Sequence, residues 1–231
     1  MQMGAKPDRA LWGLLRRRWI VMPTWRGWLL LGTIAVFLLG GCVRGLYPFL
    51  AAHAPSRTDV LVTEGWIPEN GLKEVAAAFQ RDHCRKIYLT GCPIEKGADF
   101  LPARTVPDLM AMSLLKLGLT SNDLVVVAAS DARQDRTIAA ARALRQRWSD
   151  RQGAPQRVNL MVVGPHARRA RLLFEKVLGD GVEVGVVAVP PSDYNPRRWW
   201  RYSAGFRTVT SELIGYIFAR FFFHPAPGSA S

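Results

Sequence analysis

The chain opens on a polar, basic stretch, passes through one long apolar run, and then settles into short apolar segments separated by amphipathic ones. The long run is Gly27–Val43, GWLLLGTIAVFLLGGCV, seventeen residues without a charge. A helix needs about 20 such residues to cross the hydrocarbon core, and tilt or flanking residues make up a small deficit. Trp25 and Trp28 stand at one boundary and Tyr47 near the other, where aromatic rings favour the membrane–water interface. The pattern predicts one transmembrane helix over 27–43, preceded by a basic segment over 1–26.

From Asp59 the rhythm changes. Short apolar runs predict strands over Val60–Thr63, Lys86–Thr90, Leu124–Ala128, Arg157–Val163 and Val182–Val189. Between them, Pro68–Arg81, Thr105–Leu117, Arg136–Trp148 and His166–Leu178 read as helices. In the first of these, Leu72, Val75, Ala76 and Phe79 fall at helical spacing. Gly118 and Gly179 stand where two of the helices stop. Strands alternating with helices predict an α/β fold, a Rossmann-like three-layer sandwich around a mostly parallel five-stranded sheet. Runs such as LVVVA and LMVV lack polar alternation, as expected of strands covered on both faces. The body of this domain spans 59–190, and 44–58 reads as a linker from the transmembrane helix. A segment over 191–223 contains a last helix, Gly205–Phe223, which either packs on the core or rests on the membrane surface. The tail, 224–231, reads as disordered.

Charge sets the expected topology. The net charge is +13, and residues 1–44 carry seven Lys/Arg against one acid. Lys6, Arg9, Arg16, Arg17, Arg18 and Arg26 precede the apolar run, and Arg44 and Arg57 follow it. The positive-inside rule puts the N-terminus in the cytoplasm and the domain outside the cytoplasmic membrane, as a single-pass protein. Three other readings of the run stand beside this one. They are a buried core helix, a cleaved signal peptide (without a clear A-x-A site) and a lipidation box at Leu39-Gly40-Gly41-Cys42. The basic domain suits an anionic ligand or anionic headgroups, and the anchor argues against nucleic acid. Of the three cysteines, Cys84 and Cys92 flank an apolar run. An extended strand would hold them roughly 25 Å apart, too far for a disulfide. No CxxC and no His/Cys cluster points to a metal.

In an open parallel sheet ligands bind beyond the carboxyl ends of the strands. Four segments fall there. Thr63-Glu64-Gly65-Trp66 offers a carboxylate at Glu64, with Gly65 and Trp66 beside it. Thr90-Gly91-Cys92 allows close backbone approach. Asp135-Arg136-Thr137 opens a helix. Gly164-Pro165-His166-Ala167-Arg168-Arg169-Ala170-Arg171 is the strongest, because it follows a strand and places basic residues at a helix start. That placement opposes the helix dipole, and an anion held by Arg168 and Arg169 would relieve it. His166 is the one histidine well placed for proton transfer, with Glu64 as its natural carboxylate partner. Further on, Tyr194-Asn195-Pro196-Arg197-Arg198-Trp199-Trp200-Arg201 interleaves basic and aromatic residues, so Arg198 and Trp199 are candidates to stack on or cover a ligand. No G-x-S-x-G, P-loop, H-E-x-x-H or G-x-G-x-x-G occurs. These residue types point to a hydrolase or transferase on a phosphate ester, although no catalytic constellation is complete.

These motifs together resemble the ElyC/SanA/YdcF family of bacterial envelope proteins over about Asp59–Val189. The resemblance rests on Asp59–Gly65, Thr90-Gly91, Asp135–Thr137 and, most specifically, His166-Ala167-Arg168-Arg169-Ala170. The Glu-Gly-Trp turn and the Arg-Trp-Trp segment resemble a subgroup. The resemblance implies a Rossmann-like domain tied to envelope and peptidoglycan biogenesis, through a polyprenyl-phosphate carrier or another phosphate-bearing metabolite. Some members have been linked to S-adenosylmethionine, a binder of which would need an acid near the second strand, here Glu95. A non-catalytic assembly factor that binds a membrane protein is the other class the sequence admits.

Overall fold

The computed structural model describes residues 22–94, 100–130, 135–150 and 153–224, with the backbone of a two-residue antiparallel pair, Arg9–Ala10 with Leu15–Arg16. Glu95 and the tail beyond residue 224 lie outside the described residues. The chain divides into two units, Met1–Cys42 and Val43–Ser231.

Helix α1 (Trp25–Leu50) is 26 residues long with a mean hydropathy of 2.0 over its most apolar window, none of which is buried. At 1.5 Å per residue it is about 39 Å long, enough to cross a bilayer. A core helix would have covered Leu29, Val36, Phe37 and Leu38, and all four are exposed, so that alternative falls. The helix continues seven residues past the span read from the sequence, through Pro48, to the fully buried Leu50.

The second unit is the α/β domain. Its elements are β1 (Val60–Glu64), α2 (Glu69–Arg81), β2 (Lys86–Gly91), α3 (Val106–Lys116), β3 (Leu124–Ala128), α4 (Arg136–Ser149), β4 (Arg157–Val163), α5 (Ala167–Leu178), β5 (Glu183–Val189) and α6 (Ser203–Phe221). Short 3-10 turns at Gly164–His166 and Pro196–Arg201 precede α5 and α6. The sheet runs β3-β2-β1-β4-β5, parallel throughout. The chain steps outward from β1 to β3, then returns to the other side of β1, so the topology reverses between β1 and β4.

Strand alternation builds one core on each face. Val60 and Val62 of β1, with Val158, Leu160 and Val162 of β4, pack against α4 and α5 through Ala141, Leu144, Ala170 and Phe174. Leu61 and Met161 point the other way, onto Leu72, Val75, Met110 and Leu114 of α2 and α3. Both faces are apolar because both are covered, which is why these strands lack polar alternation. Helix α3 begins where the Thr105 side chain accepts a hydrogen bond from the Asp108 amide at 3.2 Å. Thr105→Ala removes that cap and is expected to lower stability by about 1 kcal/mol, read as a shifted urea midpoint with an unchanged slope.

The segment read as a linker is partly structural. Ala54 forms an antiparallel bridge with Val186 at the free edge of β5. Asn159 clamps Ser56, accepting from its amide at 2.8 Å and donating to its carbonyl at 2.9 Å. A third apolar cluster joins the last turns of α1 to the C-terminal region: Leu50, Tyr194, Trp199 and Val209 are its buried members, with Val43, Leu46 and Tyr47 against them. This cluster, with α6, closes the reversal end of the domain.

Candidate functional site

Two segments meet at the topology reversal, the position where open α/β sheets present ligands with a crevice. Strand β1 ends at Glu64, and Gly65 (φ +69°) turns the chain away while its amide donates to Thr90 O at 3.1 Å. Strand β4 ends at Val163, and the turn Gly164–His166 brings the imidazole of His166 across to Glu64. Gly164 has φ +51°, and a Cβ there would sit 3.2 Å from the Tyr47 hydroxyl and 3.7 Å from that of Tyr194. The Tyr194 hydroxyl is buried without a protein partner.

Both ring nitrogens of His166 face carboxylates. Nε2 lies 2.7 Å from Glu64 Oε2, and Nδ1 lies 3.2 Å from Glu212 Oε2. Glu212 comes from α6 and takes a two-point grip from Arg169: Nε donates to Oε2 at 2.7 Å and Nη2 to Oε1 at 3.0 Å. This fork-to-carboxylate geometry is the strong form of the ion pair. Thr137, at the start of α4, hydrogen-bonds the Glu64 carboxylate, and Asp135 acts electrostatically on Arg169. Four charged groups from β1, the His166 turn, α5 and α6 thus share one part-buried cluster.

Charge balance decides the protonation. Glu64 and Glu212 contribute two negative charges and Arg169 one positive, so an imidazolium brings the cluster to neutrality. Burial works to lower the His166 pKa, but Glu64 and Glu212 outweigh it and hold it up at about 9. Burial likewise works to raise both carboxyls. His166, Thr137 and Arg169 override it at Glu64, which lies below the usual carboxylate range. His166 and Arg169 override it at Glu212, which falls to about 2. A pKa held up to about 9 favours the imidazolium at neutral pH, with Nε2 facing Glu64 and Nδ1 facing both Glu212 and, at 3.2 Å, the Arg169 Nη2.

The sequence-predicted residues divide. Glu64, Thr137, His166 and Arg169 meet in the cluster, with Asp135 and Arg136 beside it at the start of α4. Thr90 is fully buried and spends its hydroxyl on Thr63 O at 2.7 Å, so it ties β2 to β1. Gly91 makes room for α3, because a Cβ there would lie 3.1 Å from Pro107. Trp66 is exposed just past the turn. Of the two arginines expected to hold an anion, Arg169 grips Glu212, and Arg168 donates to Phe49 O and lies 4.1 Å over the Phe49 ring. Arg171 pairs with Glu175 at 2.7 Å. The chain's own carboxylates and carbonyls answer these cations.

Trp199, a candidate ligand contact from the sequence, is 3% exposed, and its indole donates to Val43 O at 3.2 Å. Phe206 stacks on it and Trp200 meets it edge-on, so it packs the end of α1 onto the domain. Its neighbour Arg198 is exposed. The pattern offered Tyr47 only as a membrane-boundary aromatic and did not point to Glu212 as part of the site. The only signal for Glu212 was a lone acid inside an apolar helical stretch. A cavity of about 610 Å³ opens at the opposite end of the sheet, lined by His53, Arg57, Glu74, Arg81 and Asn159 among others. Arg81 there is paired with Asp82, and the cluster around His166 lies at the other ends of the strands.

Fold and cluster together define a Rossmann-like α/β domain with a part-buried histidine–carboxylate centre at its switch point, behind one helix long and apolar enough to cross a membrane. In comparisons with known proteins, no family model and no curated sequence matches this chain.

Proposed function

We propose that this chain is an envelope-biogenesis protein of the cytoplasmic membrane, single-pass with its N-terminus inside. Its extracytoplasmic domain binds a phosphate-bearing metabolite or a polyprenyl-phosphate carrier at the switch-point crevice. There it acts as a hydrolase or transferase, with His166 as general acid. The observation that carries this reading is the placement of His166 between Glu64 and Glu212 at the reversal of the sheet. The resemblance of His166–Ala170 and its companion motifs to the ElyC/SanA/YdcF family supports the envelope context.

The chemistry is direct. A substrate oxygen that takes the place of Glu64 at Nε2 meets a loaded donor. Withdrawal of Glu64 removes the larger of the two carboxylate fields, so the imidazolium becomes more acidic as the substrate arrives. Glu212, fixed by Arg169, holds the Nδ1 proton and keeps the ring in place. The bond to the leaving oxygen breaks as the Nε2 proton moves onto it, and displaced Glu64 is then the base for an incoming water or hydroxyl. Helix α4 begins beside Glu64 with no side-chain cap, and its first-turn amides suit a phosphate oxygen.

The test is thermal stabilisation of the full chain in nanodiscs by polyprenyl phosphates, nucleotide sugars, plain nucleotides and S-adenosylmethionine. A ligand at about 100 times its dissociation constant adds about 2.7 kcal/mol. The expected result is a shift from one phosphate-bearing class, with release of phosphate or transfer of the group abolished in His166→Asn. No shift from any compound on well-folded protein rejects the reading in favour of a non-catalytic assembly factor.

A further inference from the structure

Helix α6 has two faces. Gly205, Val209 and Ala219 are buried, Glu212 turns in to Arg169, and Gly215 lies against the same guanidinium. Lys176 of α5 donates to Ala219 O and Phe223 O, both at 2.6 Å, and fixes the far end. With this face committed to the domain, the opposite one is held outward.

That outward face is apolar. Ile214, Ile217, Phe218 and Phe221 are exposed on one arc over the last two turns, and Phe206 is exposed two turns earlier with Arg207, Thr210 and Ser211 on the arc between them. Phe222 extends it, and Ile214 and Phe222 are each 69% exposed. A soluble face would not accumulate such residues, and a contiguous exposed patch of this kind marks an interaction surface. Basic residues accompany it: Arg207 is exposed on the same arc near the start of the helix, Arg220 is exposed at its edge, and Arg197, Arg198 and Arg201 are exposed on the turn before it. The only acid on α6 is Glu212, and it points inward.

The geometry points to the bilayer as the occupant: α6 lies in the headgroup zone of an anionic leaflet, with its phenylalanines among the upper acyl chains. Two observations select lipid. An apolar stripe accompanied by basic residues is the pattern of an interfacial helix, complementary to anionic headgroups. The N-terminal half of α6 also packs on Val43, Leu46 and Tyr47, which follow directly on the apolar span in the chain. Two points of attachment, α1 and the α6 stripe, would stop the domain from swivelling on a single tether and hold the His166 crevice at a fixed height for a lipid-linked substrate.

Depth-dependent quenching tests this. The full chain carries Cys42→Ser, because Cys84 and Cys92 are buried and Cys42 is exposed. A fluorophore is placed at Phe218→Cys, or at Lys73→Cys on the exposed side of α2. Each protein is reconstituted in phosphatidylcholine vesicles, with and without phosphatidylglycerol, that contain lipid nitroxide-labelled near the headgroup. The label at 218 is expected to be quenched several-fold more than the label at 73, and more strongly with phosphatidylglycerol. Ile214→Asp with Phe221→Asp, both at exposed positions, should abolish the difference without unfolding the domain. Equal quenching at the two sites overturns the proposal. So does a label at 218 shielded from both lipid and aqueous quenchers, which would place a protein on the stripe, a second copy if Phe218→Cys crosslinks to itself.

Discussion

Raising the pH from 6.5 to 9 is expected to lower the stability of the folded domain by about 3 kcal/mol. His166 has a folded pKa of about 9 against an ordinary 6.5. A group whose pKa is raised on folding stabilises fully below its unfolded value and loses that contribution as pH climbs through the folded one. The loss therefore occupies the interval between these two values, and a protein of this length should show it as a fall in Tm of about 6–12 °C. His166→Gln removes the titrating group, so its stability should vary little across the same interval. The carboxylates act in the opposite direction. Glu212 is depressed to about 2 from 4.5, so what it contributes is present above 4.5 and lost as pH falls toward 2. The two effects describe one set of contacts and do not add. Thermal scans of the parent and His166→Gln at four or five pH values decide the matter, and parallel curves would refute the imidazolium assignment.

Arg169→Ala should be the most damaging single change in the cluster, at about 3 kcal/mol, because it strands Glu212 beside Glu64 with one cation for two buried anions. The same reasoning gives a sharper expectation for the pair. Arg169→Met combined with Glu212→Leu removes both charges and fills the space with apolar atoms, so the double variant should be more stable than Arg169→Ala alone. Chemical denaturation of the single and double variants measures the coupling. Were the double variant the worse of the two, the pair would owe its effect to something other than an unpaired buried charge.

The sheet was readable because its signals are local. The apolar runs Leu124–Ala128 and Leu160–Val163 carry no polar alternation, and the boundaries read for Leu124–Ala128 and Arg157–Val163 coincide with the observed strands. The ends of α3 and α5 were marked by Gly118 and Gly179. Two things were not readable, for one physical reason. The helix Trp25–Leu50 was cut short at Val43 because Arg44 and Pro48 interrupt the apolar pattern, and only tertiary contacts of Leu46, Tyr47 and Leu50 explain why it continues. Likewise Glu64 and His166 could be paired from the rule that ligands sit at strand ends, but Glu212 could not. It lies 46 residues beyond His166 on an element whose apolar pattern pointed to core or membrane, not to a site. Arg169 looked short of an anion for the same reason, since its partner Glu212 was out of view. The outward stripe of α6 explains why the helix admitted two readings, core packing and membrane contact: one face packs, and the other is exposed and apolar.

The cluster draws its parts from widely spaced points along the chain: Glu64 early, His166 and Arg169 late, Glu212 last. A polypeptide made from the N-terminus acquires His166 before it acquires Glu212. Until α6 is made and docks, Arg169 lacks its carboxylate and His166 faces Glu64 alone, so the cluster is assembled only with the docking of that helix.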